Sequence, residues 1–456
     1  MPTSRKPIAP RQGGTLGLLV RGWPRLSQTF VLDEVLALER LGLPLRIFAL
    51  SSERSEALTQ PEVAAVRAPV EFLDVRVARR RAALAAHLRA LLASPARYLR
   101  TAWYVARHPE WDRGYHAASR GRCLTMAASL AATLRRAARG SDGAGGAPVT
   151  RLHAHFAHDP ALVALLTHRL TRLPWSFTAH ARDLYQVPPA AVAERAAAAE
   201  AVVACCAANA EYLRGLLDGG LRQRVRLIHH GVDVAAFQPA AGRDSGGAPG
   251  RDATAPRIVS AGRLVEKKGF GDLLAACRTL KERGLRFRLE LYGDGPLREA
   301  LAAAVERFGL HGEVVLAGPR TRPELRAALQ HADLFALTPF VDREGDRDGI
   351  PNVLLEAMAC GLPVVSTTIP GVVEVVRHGA DGLLAAPRDV EGSAVHLAAL
   401  LADRGLRARL GGEARRAVVE RFDRRASAAA LAALLSPRPT PASIPTTSPA
   451  GAGGSA

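Results

Sequence analysis

Asp346 to Ser366, DRDGIPNVLLEAMACGLPVVS, is the stretch on which the fold turns. A loop carrying Gly and Pro leads into a short apolar helix, and Gly361 follows its end. An unbroken apolar strand, Pro363–Ser366, comes next. Pro351 suits the first helical position and Gly361 the position just past the last. A strand without polar alternation is buried on both faces, the habit of a parallel sheet covered by helices.

The same unit recurs in both directions. Short apolar runs read as strands at Thr15–Val20, Leu45–Leu50, Val70–Asp74, Arg151–Phe156, Trp175–Thr178, Ala201–Cys205 and Val225–His229. They continue at Arg257–Ser260, Arg288–Tyr292, Glu313–Leu316, Asp333–Leu337 and Gly382–Ala385. Amphipathic runs at Gly271–Arg283, Leu297–Phe308, Arg322–Gln330 and Asn352–Cys360 alternate with them. The pattern predicts an α/β protein with two Rossmann-like parallel-sheet domains, ligands lying at the carboxyl ends of the strands and in the cleft between. A Gly-, Pro- and Asp-rich run, 241–256, reads as a flexible linker between domains at 1–240 and 257–435. The stretch 138–149 reads as a loop. The tail, 436–456, is too poor in apolar residues to fold. No fixed short period is present, which excludes solenoids and propellers.

Composition narrows the function. At 48% apolar and 23% charged, the chain is an ordinary globular one. The formal charge is +18, yet only Lys6, Lys267, Lys268 and Lys281 are lysines, leaving 57 arginines. Asn209 and Asn352 are the only asparagines. Such a bias toward Arg, Ala, Gly and Pro resembles a GC-rich coding background, which weakens the charge as a sign of an acidic partner. It also makes each surviving Lys or Asn informative. Cys123, Cys205, Cys206, Cys277 and Cys360 form no CxxC pair, so a reducing compartment is expected. The apolar run after the N-terminus is too short for a signal peptide, and no stretch approaches the roughly 18 apolar residues of a membrane span. The expectation is a soluble, cytoplasmic protein with membrane contact only at its surface.

Ser260-Ala-Gly-Arg-Leu-Val-Glu-Lys-Lys-Gly-Phe270 leaves a strand and enters a helix. Arg263 and Lys268 are placed around a turn that Gly262 and Gly269 let bend tightly. Two cations at a strand end beside a helix N-terminus make a diphosphate clamp, and a basic solvated loop is the plainer alternative. Holding two of four lysines, the turn favours the clamp. Tyr292-Gly-Asp-Gly-Pro296 lacks the third Gly of a dinucleotide fingerprint, so Gly293 serves a tight turn or a close approach to ligand. In the opening stretch, Asp348 precedes the helix and Glu356 lies more than one turn inside it. Gly349, Ile350, Pro351, Asn352 and Val353 bring the helix N-terminus between the two carboxylates, where N–H groups take phosphate and carboxylates take sugar or ribose hydroxyls. Asp346-Arg-Asp348 matches a DxD metal pattern, but nothing nearby supports a metal, and none is expected.

GRLVEKKG, YGDGP, DGIPNVLLEAMACGLPVVST and the following Pro370–Glu374 and Gly379–Leu383 segments together resemble family 4 of the retaining, nucleotide-sugar-dependent glycosyltransferases. That resemblance implies the GT-B fold and a Glu-x7-Glu motif, with Asp348 here in the first Glu position and reaching about one methylene less. It further implies that Glu356 holds ribose hydroxyls, Asp348 the transferred sugar, and Arg263 with Lys268 the diphosphate of a nucleoside-diphosphate sugar. No cofactor is implied.

The first half supplies the acceptor side. Trp23–Val31 (WPRLSQTFV) offers Ser27, Gln28 and Thr29 to the cleft or as caps of the helix Leu32–Leu41. His153, His155 and His158 at spacings of two and three read as structural or polar-lining residues rather than metal ligands. His180 occupies the cleft end of a strand. With the segments HAHFAHDPA and SFTAHARDLY, this half resembles the exopolysaccharide glycosyltransferases of the colanic-acid type. By that resemblance His180 contacts the transferred sugar, and the acceptor is a glycan or a lipid-linked sugar. His229-His230-Gly231 leads toward the linker, and His230 can line the cleft. Residues 76–106 are basic and carry Trp103 and Tyr104, which suits either a packed helix pair or an anionic lipid surface. Two other readings stand beside this one: another GT-B enzyme such as a sugar-nucleotide epimerase, and a basic nucleic-acid-binding protein. No RNP, zinc-finger or helix-turn-helix pattern backs the latter.

Overall fold

The computed structural model describes residues 14–25, 28–52, 59–140, 147–240 and 255–436. The predicted linker from 241 to 254, the tail beyond Ser436 and Ser27 lie outside the described residues. The first sheet comprises β1 (Thr15–Gly22), β2 (Leu45–Ser51), β3 (Val70–Phe72), β4 (Val149–His155), β5 (Trp175–Ala179), β6 (Ala201–Ala204) and β7 (Val225–Leu227), ordered 3-2-1-4-5-6-7. The second comprises β8 (Arg257–Ala261), β9 (Arg288–Tyr292), β10 (Val314–Gly318), β11 (Leu334–Ala336), β12 (Val364–Thr367) and β13 (Leu383–Ala385), ordered 10-9-8-11-12-13. Every pairing is parallel. Each sheet starts in its middle, builds to one edge, then returns and builds the other. The reversal leaves a crevice between β1 and β4 and another between β8 and β11, where doubly wound sheets hold ligands.

The strands sit where their unbroken apolar runs predict, with ends displaced by at most two residues. Consecutive residues such as Leu18, Leu19 and Val20, or Val364 and Val365, are all buried, so helices cover both faces. At the end of the helix Asn352–Ala359, Gly361 adopts φ +71°. Its N–H donates to the Met358 carbonyl at 2.9 Å and that of Leu362 to the Ala357 carbonyl at 3.1 Å. This paired closure requires a residue at ease in the left-handed region.

Three expectations are corrected. Pro351 is the N-cap, not the first helical residue: its ψ of 118° is extended, and its carbonyl accepts the Leu354 N–H at 3.0 Å. The helix of the first half begins at Thr29 and is capped by Gln28 with no side-chain bond, so Thr29 is not its cap. The last helix, Arg424–Leu435, was expected with the second domain but packs on the first. Leu431, Ala432 and Leu435 join the core of Val31, Val35 and Leu38, and the chain crosses back through a bridge between Val232 and Asp423. An apolar face on a terminal helix goes to whichever surface it completes.

Candidate active site

The turn after β8 is set by backbone crowding. A Cβ on Gly269 (φ +69°) would lie 1.7 Å from the Thr338 carbonyl oxygen, so only glycine lets this turn close against the end of β11. The Thr338 hydroxyl donates to the Gly269 carbonyl at 2.7 Å. Gly293 answers to the same crowding: its Cβ would stand 1.9 Å from the Gly262 carbonyl, which explains the glycine through chain packing.

The turn delivers two lysines to the β8/β11 crevice. Lys268 Nζ donates to Asp348 Oδ2 at 2.6 Å. Lys267, singled out by the sequence only as half of a rare pair, is buried. Its Nζ reaches Asp346 Oδ1 and the Arg347 carbonyl, each at 2.9 Å, and Asp348 Oδ1 at 3.3 Å. Burial would raise the Asp348 pKa, but Lys268 and then Lys267 outweigh it and hold the carboxyl below its ordinary value. Both aspartates of the DxD pattern are thus engaged by ammonium groups. Arg263 is exposed at the rim of the turn.

The helix Asn352–Ala359 begins opposite. Gly349 faces the other domain, where an added Cβ would come within 3.5 and 3.6 Å of the Cys205 and Cys206 sulfurs. Ile350 and Val353 pack on the second core, and half-buried Asn352 opens the helix. Glu356 is buried one turn further on, with Arg322 Nε 3.8 Å away. Burial raises its pKa, and Arg322 only partly opposes this. The two predicted carboxylates therefore meet different cations, Asp348 the lysines and Glu356 an arginine. Asp33, a first-domain residue that sequence reasoning missed, takes both Arg322 terminal nitrogens at 2.5 and 2.6 Å and Arg424 at 2.8 Å.

On the first-domain side, His180 directly follows β5. Its backbone N–H donates to the Asp183 carboxylate at 3.1 Å, and its ring packs near Phe30 and Phe156, with centroids 4.6 and 4.4 Å away. Nδ1 shares a hydrogen bond of 3.1 Å with His230 Nε2, and Nε2 has no hydrogen-bond partner among the described residues. Asn209, the second rare asparagine, donates to the His180 carbonyl and accepts from the Tyr185 hydroxyl at 3.0 Å. Its scarcity was the available signal. His153 spends both ring nitrogens on Ser176 and Thr178, at 2.8 and 2.9 Å, as a core residue does. Glu34 with His153 and His155, and Cys205 with His180 and His230, bring ligand-type atoms within 4.8 Å of one another. His158 precedes the helix Asp159–Thr171, and Thr29 is half-buried.

Burial holds four of these imidazoles, His153, His158, His180 and His230, neutral. It lowers His230 to about 4 and His153 to about 3, and takes His158 and His180 well below the ordinary value. With folded pKa values depressed, the associated stability is present above the unfolded value near 6.5 and is lost as pH falls toward 4. Burial raises Asp183 to about 6, which opposes the trend as pH falls from 6 toward 4, but one carboxyl faces four imidazoles. The melting temperature should therefore decline steadily below pH 6.5. A melting temperature flat from pH 7 to 4.5 would contradict buried neutral histidines.

Two doubly wound sheets, with their strand ends and a paired-lysine turn meeting at a cleft, define the GT-B class of α/β fold. Residues 255–403 match the family described as glycosyl transferases group 1. A putative colanic acid biosynthesis glycosyltransferase of Escherichia coli (strain K12), WcaL, is 38% identical over 178 residues, 39% of this chain and 42% of that protein. The amylovoran biosynthesis glycosyltransferase AmsK of Erwinia amylovora is 42% identical over 145 residues, 32% of this chain and 35% of its own. The matches thus span about two fifths of these curated relatives. Among solved structures, Anabaena HepE in complex with UDP and glucose superposes with a TM-score of 0.66 at 18% identity, covering 92% of this chain and 99% of that one. Sucrose-phosphate synthase from Thermosynechococcus elongatus gives 0.66 at 18% identity over 92% and 98%.

Proposed function

We propose that this chain is a retaining glycosyltransferase that moves a sugar from a nucleoside-diphosphate sugar to a glycan or lipid-linked acceptor in exopolysaccharide or cell-envelope polysaccharide synthesis. The observation that carries the reading is the β8 turn, which brings Lys268 to the crevice opened by the helix Asn352–Ala359, with Arg263 exposed at the rim. In this reading the donor diphosphate lies on those cations and on the N–H groups of the helix start. As the bond from the anomeric carbon to the phosphate oxygen breaks, negative charge grows on the leaving diphosphate beside Lys268 and Arg263. The acceptor hydroxyl attacks from the same face and passes its proton to the departing phosphate, so no carboxylate nucleophile is needed. His180 Nε2 and Asp348 orient the sugar, and Glu356 takes the ribose hydroxyls. The scheme needs no metal, since Lys267 and Lys268 already engage Asp346 and Asp348. The test is incubation with individual nucleotide sugars and polysaccharide-type acceptors under mass-spectrometric readout. Acceptor-dependent release of nucleoside diphosphate with a glycosylated product supports it. Release without product, or none from any donor, sinks it.

The acceptor side of this reading includes contact with an anionic membrane. Among the described residues no helix is long and apolar enough to cross one. The helix Arg80–Ala93, however, is inverted: it buries Ala86 and Ala90 and exposes Leu84, Leu88 and Leu92, spaced one turn apart. The next helix, Pro95–Ala106, exposes Leu99 and Trp103, the latter 62% accessible with Arg107 over its ring. Between Val75 and Arg107 lie seven arginines and no acid. Apolar side chains set among cations suit an anionic lipid surface. Sedimentation with vesicles rich in phosphatidylglycerol should pull down the wild type and lose L84E/L88E/L92E at least tenfold. Equal binding to purely zwitterionic vesicles, or none to either, would refute the contact.

A further inference from the structure

Three groups that ligate metals converge at one edge of the first sheet. His180 directly follows β5, Cys205 directly follows β6, and His230 comes shortly after β7. These strands are neighbours and parallel, so their carboxyl ends bring residues distant in the chain side by side. His180 Nδ1 and His230 Nε2 stand 3.1 Å apart, and Cys205 Sγ completes a set whose ligand atoms all lie within 4.8 Å of one another. Two nitrogens on one tetrahedral zinc, at ordinary bond lengths, are about 3.3 Å apart, so the imidazole pair is already spaced to share an ion.

The surroundings suit a metal better than they suit the hydrogen bonds present. His180 is 9% exposed, and its Nε2 has no hydrogen-bond partner among the described residues. The contacts of Cys205 Sγ with the His180 carbonyl and Asn209 Nδ2 are long, at 3.9 and 3.7 Å. The rings, by contrast, are held in place. Asp183 accepts the His180 backbone N–H, Asn209 donates to its carbonyl, and Phe30 packs on both imidazoles with centroids 4.6 and 4.7 Å away. Outer-shell support of this kind orients ligands for a metal. His230 also lines a cavity of about 20 Å³, room for one water as a fourth ligand. Glu34 with His153 and His155 makes a poorer set. His153 spends both nitrogens on Ser176 and Thr178, and Glu34 already meets His155 at 3.0 Å.

We propose that His180, Cys205 and His230 form a zinc site with one open position, and that zinc bound there immobilises the His180 ring. One proton leaves on binding, that of the Cys205 thiol, because a coordinating thiol is deprotonated outright. Each imidazole coordinates through one nitrogen and keeps its proton on the other. That zinc thereby arrests sugar transfer rests on the transferase reading, in which His180 orients the sugar; the metal site itself does not. Titrating the chelator-stripped full chain with cobalt(II) should give a thiolate-to-cobalt charge-transfer band and the d–d bands of a tetrahedral centre, both abolished by added zinc. Cys205→Ala should lose the charge-transfer band, with far-UV circular dichroism unchanged. It should also weaken zinc, read calorimetrically, by more than the roughly tenfold that an outer-shell partner is worth. His230→Gln, at a half-buried position, should weaken zinc likewise and serves should the cysteine variant lose structure. Cys206→Ala should keep the band. No zinc binding, no charge-transfer band in the wild type, or a band that survives Cys205→Ala overturns the site. Binding is read without turnover, so a chain that transfers no sugar can still pass this test. In an active transferase, zinc should slow the wild type and spare Cys205→Ala. Equal inhibition of the two, or of neither, would overturn the arrest of His180 and leave the transferase reading intact.

Discussion

Lys268→Ala is expected to lower turnover by roughly 10²- to 10³-fold while the chain stays folded, the loss typical when one preorganised donor to a developing oxyanion is removed. The two halves of that expectation have separate causes. Lys268 Nζ bonds a single carboxylate, Asp348, and that carboxylate keeps Lys267 at 3.3 Å. Truncating Lys268 therefore leaves no uncompensated buried charge. Lys267 is the poorer probe, because its ammonium is bonded to Asp346 and to the Arg347 carbonyl inside the domain. Its removal strands a buried carboxylate and confuses folding with catalysis. The measurement pairs the rate of nucleoside diphosphate release with the thermal melt. A folded Lys268→Ala protein of full activity would refute the diphosphate clamp.

The parts of this architecture legible in the sequence are those fixed by local chemistry. Unbroken apolar runs such as Val364–Thr367 require burial on both faces, and Gly361 and Gly269 stand where the backbone turns left-handed. The scarce lysines marked the turn after β8 because that turn is contiguous in the chain. Contacts closed over hundreds of residues left no such mark. Asp33 and Arg322 stand 289 positions apart, and nothing near either one announces the other. The return of the helix Arg424–Leu435 to the first domain was hidden for the same reason: its apolar face fits either core by composition, and only the assembled surface decides. Pro351 failed as the first helical residue by one position because proline fixes φ but leaves ψ free to be extended at the cap.

Asp33→Ala should cost about 3–5 kcal/mol of stability, the usual loss when one partner of a buried ion pair is removed. Asp33, Arg322 and Arg424 side chains are only 10–12% exposed. Burial works to lower the Arg322 pKa, but its bonds to Asp33 outweigh that and raise it; a guanidinium is basic enough to stay charged even when that partner is removed. Without Asp33, two buried cations face each other with Glu356, 3.8 Å from Arg322, as the nearest remaining acid. Arg322 would then turn toward Glu356 and compete with the ribose hydroxyls assigned to it. Because the three groups come from both domains and the returning last helix, the variant should also loosen the closed cleft. Its melt should shift down by several degrees or more, and the Michaelis constant for donor should rise more than the turnover number falls. Melting as in wild type with an unchanged donor Michaelis constant would show that this buried trio neither holds the domains together nor shapes the donor site.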